Sequence, residues 1–114
     1  MNLLRLFRHP KNLVDMTPAD LHRRLSPDLV LIDVRTPREY RSGHIRGAIS
    51  APLGHEAVAA KRSPTDAAVV LVCKTGHRSQ AAAATLLDLG YTNVAHLKGG
   101  MDAWSRAGLP TERR

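Results

Sequence analysis

The apolar residues fall into short runs separated by longer mixed segments. Residues 29–32 and 69–72 are continuous apolar runs of strand length, which is typical of parallel strands covered on both faces. Shorter apolar segments at residues 13–14, 48–51 and 93–97 predict three further strands. The pattern therefore predicts a mainly parallel sheet of about five strands.

Helices are predicted between these strands. Thr17, followed by a proline, is a good N-cap for a helix over residues 18–25. A segment rich in Ala and Leu predicts a second helix over residues 79–89, which ends at a glycine. A last helix is expected near residues 101–106, after a pair of glycines. This alternation of strands and helices indicates an α/β fold with helices on both faces of the sheet.

The length and composition fit one small domain. The chain has 114 residues, of which 43% are hydrophobic, and folding would bury about two-thirds of its surface. The apolar content excludes a disordered chain, and a single cysteine excludes a disulfide scaffold. We expect the domain to span residues 13–110, preceded by an extension over residues 1–12 and followed by a tail over residues 111–114.

The extension, residues 1–12, mixes leucines with basic residues. It predicts a short amphipathic helix packed on the domain, or else a frayed tail or a weak contact with a membrane surface. It lacks the apolar block of a secretory signal, and the chain has no apolar run of membrane-spanning length. We therefore expect a cytoplasmic protein without an integral membrane segment.

The net charge of +7 does not by itself indicate a nucleic-acid-binding protein. The 17 Lys and Arg residues are scattered along the chain, and aromatic residues make up only 4% of it. Proteins that hold single strands use clusters of aromatic side chains, which are missing from this sequence. A small anionic partner is the better expectation.

The segment around Cys73 is the strongest candidate for chemistry. Cys73 directly follows the apolar run at residues 69–72, and Gly76 then lies just before a predicted helix. A loop of this kind can point its backbone N–H groups at one spot, where the helix N-terminus and the cations of Lys74 and Arg78 also favour a thiolate. The alternative is a cysteine that serves only as a small core residue.

Four motifs resemble the rhodanese sulfurtransferases of the compact single-domain form. They are LIDVRTPREY at residues 31–40, GHIRGAI at residues 43–49, CKTGHRS at residues 73–79 and LKGGMDAW at residues 97–104. The resemblance covers almost the whole chain and implies a rhodanese-like fold. It also implies a ping-pong reaction in which a cysteine persulfide carries sulfur from a donor such as thiosulfate to cyanide or to a thiol acceptor such as glutathione or thioredoxin. No metal or organic cofactor is expected, and no Cys or His pair has metal-ligand spacing.

The resemblance also implies which residues form the site. It assigns catalysis to Cys73 and substrate binding to the rest of its loop, namely Lys74, Thr75, Gly76, His77, Arg78 and Ser79. Asp33 and Arg35 would lie beside the loop, where they either brace it, which we favour, or help to attract the anion. For His77 two roles are open, as a proton source or through its backbone N–H alone. We interpret His44 and Trp104 as structural.

Two other functions are weighed against sulfur transfer. The related cell-cycle phosphatases and arsenate reductases have a loop one residue longer than this one, in which four residues separate Cys73 from Arg78. A module that binds a partner, or senses anions or redox state, without turnover is the second alternative. The cysteine in its full loop argues against that alternative.

Overall fold

The computed structural model describes residues 9–113, and its centre is a five-stranded sheet in which every pair of neighbouring strands is parallel. The strands are β1 (Val14–Met16), β2 (Val30–Asp33), β3 (Ile49–Ser50), β4 (Val69–Val72) and β5 (Val94–Leu97). Their order across the sheet is β1-β5-β4-β2-β3. The prediction of a parallel sheet of about five strands is confirmed.

Five helices connect and cover the strands. They are α1 (Pro18–Arg24), α2 (Pro37–Ser42), α3 (Glu56–Ala60), α4 (His77–Asp88) and α5 (Gly100–Arg106). Three of them match the predicted helices, although α4 begins two residues earlier than expected. The sequence patterns did not predict α2 and α3. The start of α2 is fixed by a capping box, in which Thr36 and Glu39 each accept a hydrogen bond from the other's backbone N–H.

Helices lie on both faces of the sheet because successive side chains of each strand point to opposite sides. From β4, Val69 and Leu71 pack in one core cluster with residues of α3 and α4. Val70 and Val72 pack in the other cluster with Trp104 and its neighbours on α1 and α5. The four residues of β4 are buried, as the continuous apolar run predicted.

The sheet places the two polar strand ends side by side. β2 and β4 are neighbours, and Asp33 pairs in register with Val72, the residue before Cys73. The carboxyl ends of parallel strands meet at one edge of a sheet, where ligands of α/β proteins bind. Asp33 and Cys73 therefore lie at the same edge.

The flanking segments are described only in part. Residues 9–12 end in a turn, with Asn12 at a φ of 69°, and the remainder of the predicted N-terminal amphipathic extension lies outside the described residues. At the other end, Glu112 and His44 exchange two backbone hydrogen bonds of 2.9 Å, which join residue 112 to the domain. Among the helices of residues 9–113, none has both the length and the apolar character to cross a membrane.

Candidate active site

The thiol of Cys73 lies beneath the short loop between β4 and α4. Cys73 is fully buried, and its Sγ accepts a hydrogen bond of 2.9 Å from the backbone N–H of Gly76. Gly76 has a φ of 109° and is the N-cap of α4, a conformation that favours glycine. The first N–H groups of a helix have no partner within the helix, so α4 presents its positive end beside the sulfur. This environment stabilises a negatively charged sulfur.

The N-terminus of α5 holds the outer side of the same loop. The N–H groups of Met101 and Asp102 donate to the carbonyl oxygens of Cys73 and Lys74, at 2.8 and 3.0 Å. These two carbonyls therefore point towards α5, and the N–H groups of the same trans peptides point away from it. A Cβ on Gly100 would lie only 2.4 Å from the carbonyl oxygen of Lys74. Gly100, the second of the two glycines before the predicted last helix, is thus required for close contact with the loop.

Arg78 is held by a carboxylate from a distant element. Its guanidinium donates two hydrogen bonds, of 2.7 and 2.9 Å, to Glu39 on α2. These hydrogen bonds lower the pKa of Glu39 to about 2 and raise the pKa of Arg78, although partial burial acts against both shifts. The negative charge of Cys73 also contributes to the rise in the pKa of Arg78. The pair fixes the first turn of α4 against α2.

Asp33 and Arg35 form a buried ion pair beside the loop. Arg35 donates to both carboxylate oxygens of Asp33 at 2.8 to 3.2 Å and to the carbonyl of Gly43 at 2.8 Å. Both residues are buried, so the guanidinium has little room to turn towards a ligand. This arrangement braces the segment that leads into α2.

The remaining polar residues of the loop face solvent. Lys74 reaches outwards to Asp102, at 3.1 and 3.2 Å, and is more than half exposed. Thr75 and His77 are exposed, and Thr75 Oγ1 lies 3.3 Å from His77 Nδ1. The structure thus brings Cys73, Gly76 and Ser79 together below the loop and leaves Lys74, Thr75 and His77 at its outer surface.

A buried histidine that the sequence analysis did not single out lies behind the thiol. Ser79 Oγ is 3.4 Å from Cys73 Sγ and 2.8 Å from His96 Nδ1, and His96 Nε2 is 2.7 Å from Asp15 Oδ1. Burial lowers the pKa of His96, while Asp15 opposes that shift. The available sequence signal was one polar residue within an otherwise apolar strand, β5.

His9, Asp15 and His96 form the one group that could hold a metal ion among the residues described. Their donor atoms lie within 4.8 Å of one another, and each imidazole Nε2 is 2.7 Å from the same carboxylate oxygen of Asp15. Burial alone would raise the pKa of Asp15, but hydrogen bonds and charge from the two histidines outweigh it and lower that pKa. The same Nε2 and Oδ1 atoms are engaged in hydrogen bonds with one another, so the three side chains act here as hydrogen-bond partners.

Two further residues have the structural surroundings that the sequence analysis expected. His44 is buried and stacks on Tyr40 with ring centroids 3.8 Å apart, and its Nδ1 is 2.9 Å from the carbonyl oxygen of Tyr40. Trp104 is fully buried, and its Nε1 donates to the carbonyl of Pro110 at 3.0 Å. Both side chains lie in the core rather than at the loop surface.

A cavity of about 250 Å³ opens beside the loop. Its lining includes Arg35, Glu39, Lys74 and Asp102, so both signs of charge border it. Lys74 is the residue of the active loop that lines the cavity, whereas the buried Cys73 does not border it.

A model of a known domain family matches most of the chain. The model of the rhodanese-like domain matches residues 17–107. The chain belongs to the rhodanese-like domain family. The recognition of this family from four motifs is therefore confirmed, as is the predicted fold class.

Several relatives of this rhodanese-like chain are named for sulfur transfer. A protein of Allochromatium vinosum named sulfurtransferase is 41% identical over 98 residues, which cover 84% of this chain and 92% of that protein. The thiosulfate sulfurtransferase GlpE of Pseudomonas entomophila is 34% identical over 99 residues, covering 79% and 90%. The crystal structure of a rhodanese-related protein from Thermoplasma volcanium has a TM-score of 0.78 at 29% identity, and covers 89% of this chain and 99% of that one. The prediction of a rhodanese-type sulfurtransferase is confirmed.

Proposed function

We propose that Cys73 carries sulfur between two substrates as a persulfide. The observation that carries this proposal is the contact between Cys73 Sγ and the N–H of Gly76, at 2.9 Å, at the positive end of α4. A backbone donor and a helix N-terminus stabilise a thiolate before the reaction and a persulfide anion after it. The cysteine is the only one in the chain, so the sulfur must leave on an external acceptor.

The reaction balances without a cofactor. The Cys73 thiolate attacks the outer sulfur of a donor such as thiosulfate, the S–S bond of the donor breaks, and sulfite leaves with its electron pair. In the second step an acceptor thiolate or cyanide attacks the outer sulfur of the persulfide. The S–S bond of the persulfide then breaks, and the Cys73 thiolate is restored. The net change is the transfer of one sulfur atom from donor to acceptor.

The substrates that we propose are a small anionic sulfur donor and a thiol acceptor, with glutathione and a thioredoxin-like protein as candidates. The cavity beside the loop has room for the sulfonate end of thiosulfate, and Lys74 lies on its rim. The positively charged chain attracts anions over a longer range. Because the reaction needs a reduced cysteine, we also propose the cytoplasm as its location.

We assign the other loop residues by where their side chains lie. Gly76 supplies the N–H donor, and Ser79 contacts the sulfur from below. Asp33 and Arg35 brace the segments before and after α2, since their charges are satisfied by each other and by the carbonyl of Gly43. His77 acts through its place at the start of α4, because its side chain faces solvent.

The experiment is the intact mass of the reduced protein before and after thiosulfate, and again after cyanide. We expect a gain of one sulfur atom that cyanide removes, with thiocyanate as the product. Cys73→Ser is the negative control and gains nothing. His55→Gln, on an exposed residue at the start of α3, is a matched control that behaves as the unaltered protein.

A different result would change the function. If thiosulfate, mercaptopyruvate and a persulfidated thiol all left the mass unchanged, the fold would be a binding module rather than a transferase. Release of phosphate from an aryl phosphate would support the phosphatase alternative, and we expect none because the loop from Cys73 to Arg78 is one residue shorter than in those enzymes.

A further inference from the structure

His96 is a buried titratable residue that the sulfur-transfer reaction does not use directly. Its side chain is only 3% exposed, yet both of its ring nitrogens have polar partners. Nδ1 is 2.8 Å from Ser79 Oγ, and Nε2 is 2.7 Å from Asp15 Oδ1. Ser79 in turn is 3.4 Å from the sulfur of Cys73. Four side chains therefore form a continuous hydrogen-bonded row from the thiol to the surface.

The positively charged side chains around the loop are already paired with carboxylates. Arg78 is paired with Glu39, Arg35 with Asp33 and Lys74 with Asp102. Each of these cations is paired with a carboxylate, and Arg78, whose charge also interacts with that of Cys73, is shared with Glu39. A proton that leaves the buried thiol also needs an acceptor within reach.

Ser79 Oγ has three polar contacts, with Cys73 Sγ, with His96 Nδ1 and with the carbonyl oxygen of Gly76 at 3.1 Å, to which its hydroxyl also donates. When the hydroxyl turns from that carbonyl to the Cys73–His96 row, its hydrogen bonds can reverse. With a neutral thiol, Cys73 S–H donates to Ser79 Oγ, and the Ser79 hydroxyl donates to His96 Nδ1. With a thiolate, the Ser79 hydroxyl donates to the sulfur, and His96 Nδ1–H donates to Ser79 Oγ. His96 Nε2–H donates to Asp15 in both cases, and no heavy atom moves.

We propose that His96 accepts the proton of Cys73 through Ser79, and that Asp15 stabilises the resulting imidazolium as the counter-charge of the thiolate and of the persulfide. In this step the S–H bond breaks and its electron pair stays on sulfur. The Ser79 O–H proton moves to His96 Nδ1, and Ser79 receives the proton from Cys73. The inference rests on the proposed function of Cys73, and it makes His96 and Asp15 positioning residues for that function.

Few other groups act on the His96 ring. Asp15 on β1 lies opposite His96 in the sheet, and His9 contacts the same carboxylate with its ring 5.8 Å from that of His96. On the other side β4 contributes Leu71, which is apolar, and α4 contributes Ser79. The charge of His96 is therefore set by Asp15, by His9 and, through Ser79, by Cys73.

The first test measures the charge of the His96 ring. NMR signals of the ring nitrogens and carbons report that charge as the pH is changed. We expect His96 to titrate about one pH unit lower in Cys73→Ser than in the unaltered protein, because the thiolate that stabilises its proton is gone. In a protein that already carries Ser79→Ala, adding Cys73→Ser should cause no further shift in the titration of His96. If Cys73→Ser leaves the titration of His96 unchanged, the proposal is wrong.

The second test is the pH dependence of persulfide formation from thiosulfate. With His96→Gln, the acidic limb of the rate profile should move up by about one pH unit, and Asp15→Asn should move it in the same direction. Asp15 is partly exposed, so its variant remains informative if His96→Gln does not fold. His55→Gln should leave the profile in place.

These outcomes separate the inference from the proposed function. If Cys73 forms a persulfide but neither the titration of His96 nor the acidic limb responds, the proton route is wrong and the sulfur transfer stands. If no persulfide forms, the proposed function fails, while the NMR titration still reports whether Cys73 and His96 share a proton. An unchanged profile in both variants would contradict the role of the pair.

Discussion

Arg78 and Glu39 are joined by two parallel hydrogen bonds of 2.7 and 2.9 Å, although 39 residues separate them in the chain. Arg78 lies in the first turn of α4, and Glu39 belongs to the capping box of α2. One carboxylate thus fixes the start of two helices, α2 and α4. Its ionisation therefore contributes to the stability of the loop and of the fold.

Glu39→Gln should remove a part of the acid sensitivity of the protein. The pKa of Glu39 is about 2 in the folded chain against an ordinary value of 4.5, so the folded state binds fewer protons than the unfolded state between these values. The contribution of Glu39 is complete above pH 4.5 and is lost as the pH falls towards 2. We expect a lower free energy of unfolding at pH 7 and a flatter pH dependence below 4.5, measured by urea unfolding at several pH values.

Asp66→Asn is the control for this experiment, because Asp66 is exposed and distant from the loop. It should retain the slope of the unaltered protein. An equal flattening in both variants would mean that general charge repulsion, rather than the Arg78–Glu39 pair, sets the acid sensitivity.

The centre of the sheet could be predicted because β2, β4 and β5 are largely buried on both faces. The run at Val69–Val72 has no polar residue, and its bounds were predicted without error. The helix α2 was missed because it buries none of its residues fully and so has no apolar periodicity. Its capping box, from Thr36 to Glu39, was nevertheless readable in the sequence. The helix α3 has only five residues, too few for a periodic pattern.

The site could be predicted only where its residues are contiguous. The loop from Cys73 to Ser79 is one segment, so its chemistry was readable from the sequence. The partners of that loop come from elsewhere: Glu39 from α2, Asp102 from α5 and His96 from β5. Pairing across such separations depends on the order of strands and helices in space, which local patterns do not specify.

Arg78→Lys should reduce sulfur transfer even though it preserves the charge. Lysine presents a single ammonium group and cannot make the two parallel hydrogen bonds to Glu39 that the guanidinium makes. We expect a fall of about tenfold in kcat/KM for thiosulfate, since the first turn of α4 is no longer fixed. Steady-state kinetics with thiosulfate and cyanide measure it. Lys61→Arg, at an exposed residue at the end of α3, is the control and should leave the rate unchanged.

Gly100→Ala should impair both stability and activity. A Cβ at this position would lie 2.4 Å from the carbonyl oxygen of Lys74 and 2.5 Å from that of Cys73, and both are backbone atoms. The loop would have to move away from α5, which disturbs the N–H groups around the sulfur. We expect a loss of several kcal/mol on thermal unfolding, and slower persulfide formation in whatever protein folds.

Gly108→Ala measures the cost of backbone strain without the steric clash that a Cβ at residue 100 would make. Gly108 has a φ of 70°, close to the 62° of Gly100, but a Cβ there would meet no atom within 4 Å. The strain alone should cost about 1 to 2 kcal/mol and leave persulfide formation intact. Equal effects of the two substitutions would show that close packing against Lys74 is unimportant.

Asp33→Asn and Asp102→Asn test how strongly burial affects the contribution of an ion pair near the loop to the free energy of unfolding. Asp33 pairs with Arg35 in the interior, where removing one charge leaves the other without compensation, so we expect a loss of about 3 kcal/mol in the free energy of unfolding. Asp102 pairs with Lys74 at the surface, where water screens both charges, and its loss should be at most about 1 kcal/mol. Urea unfolding at pH 7 measures both. If Asp33→Asn proved as mild as Asp102→Asn, Arg35 would have enough freedom to find another partner, and a direct role for its guanidinium in binding the anionic donor would become the better interpretation.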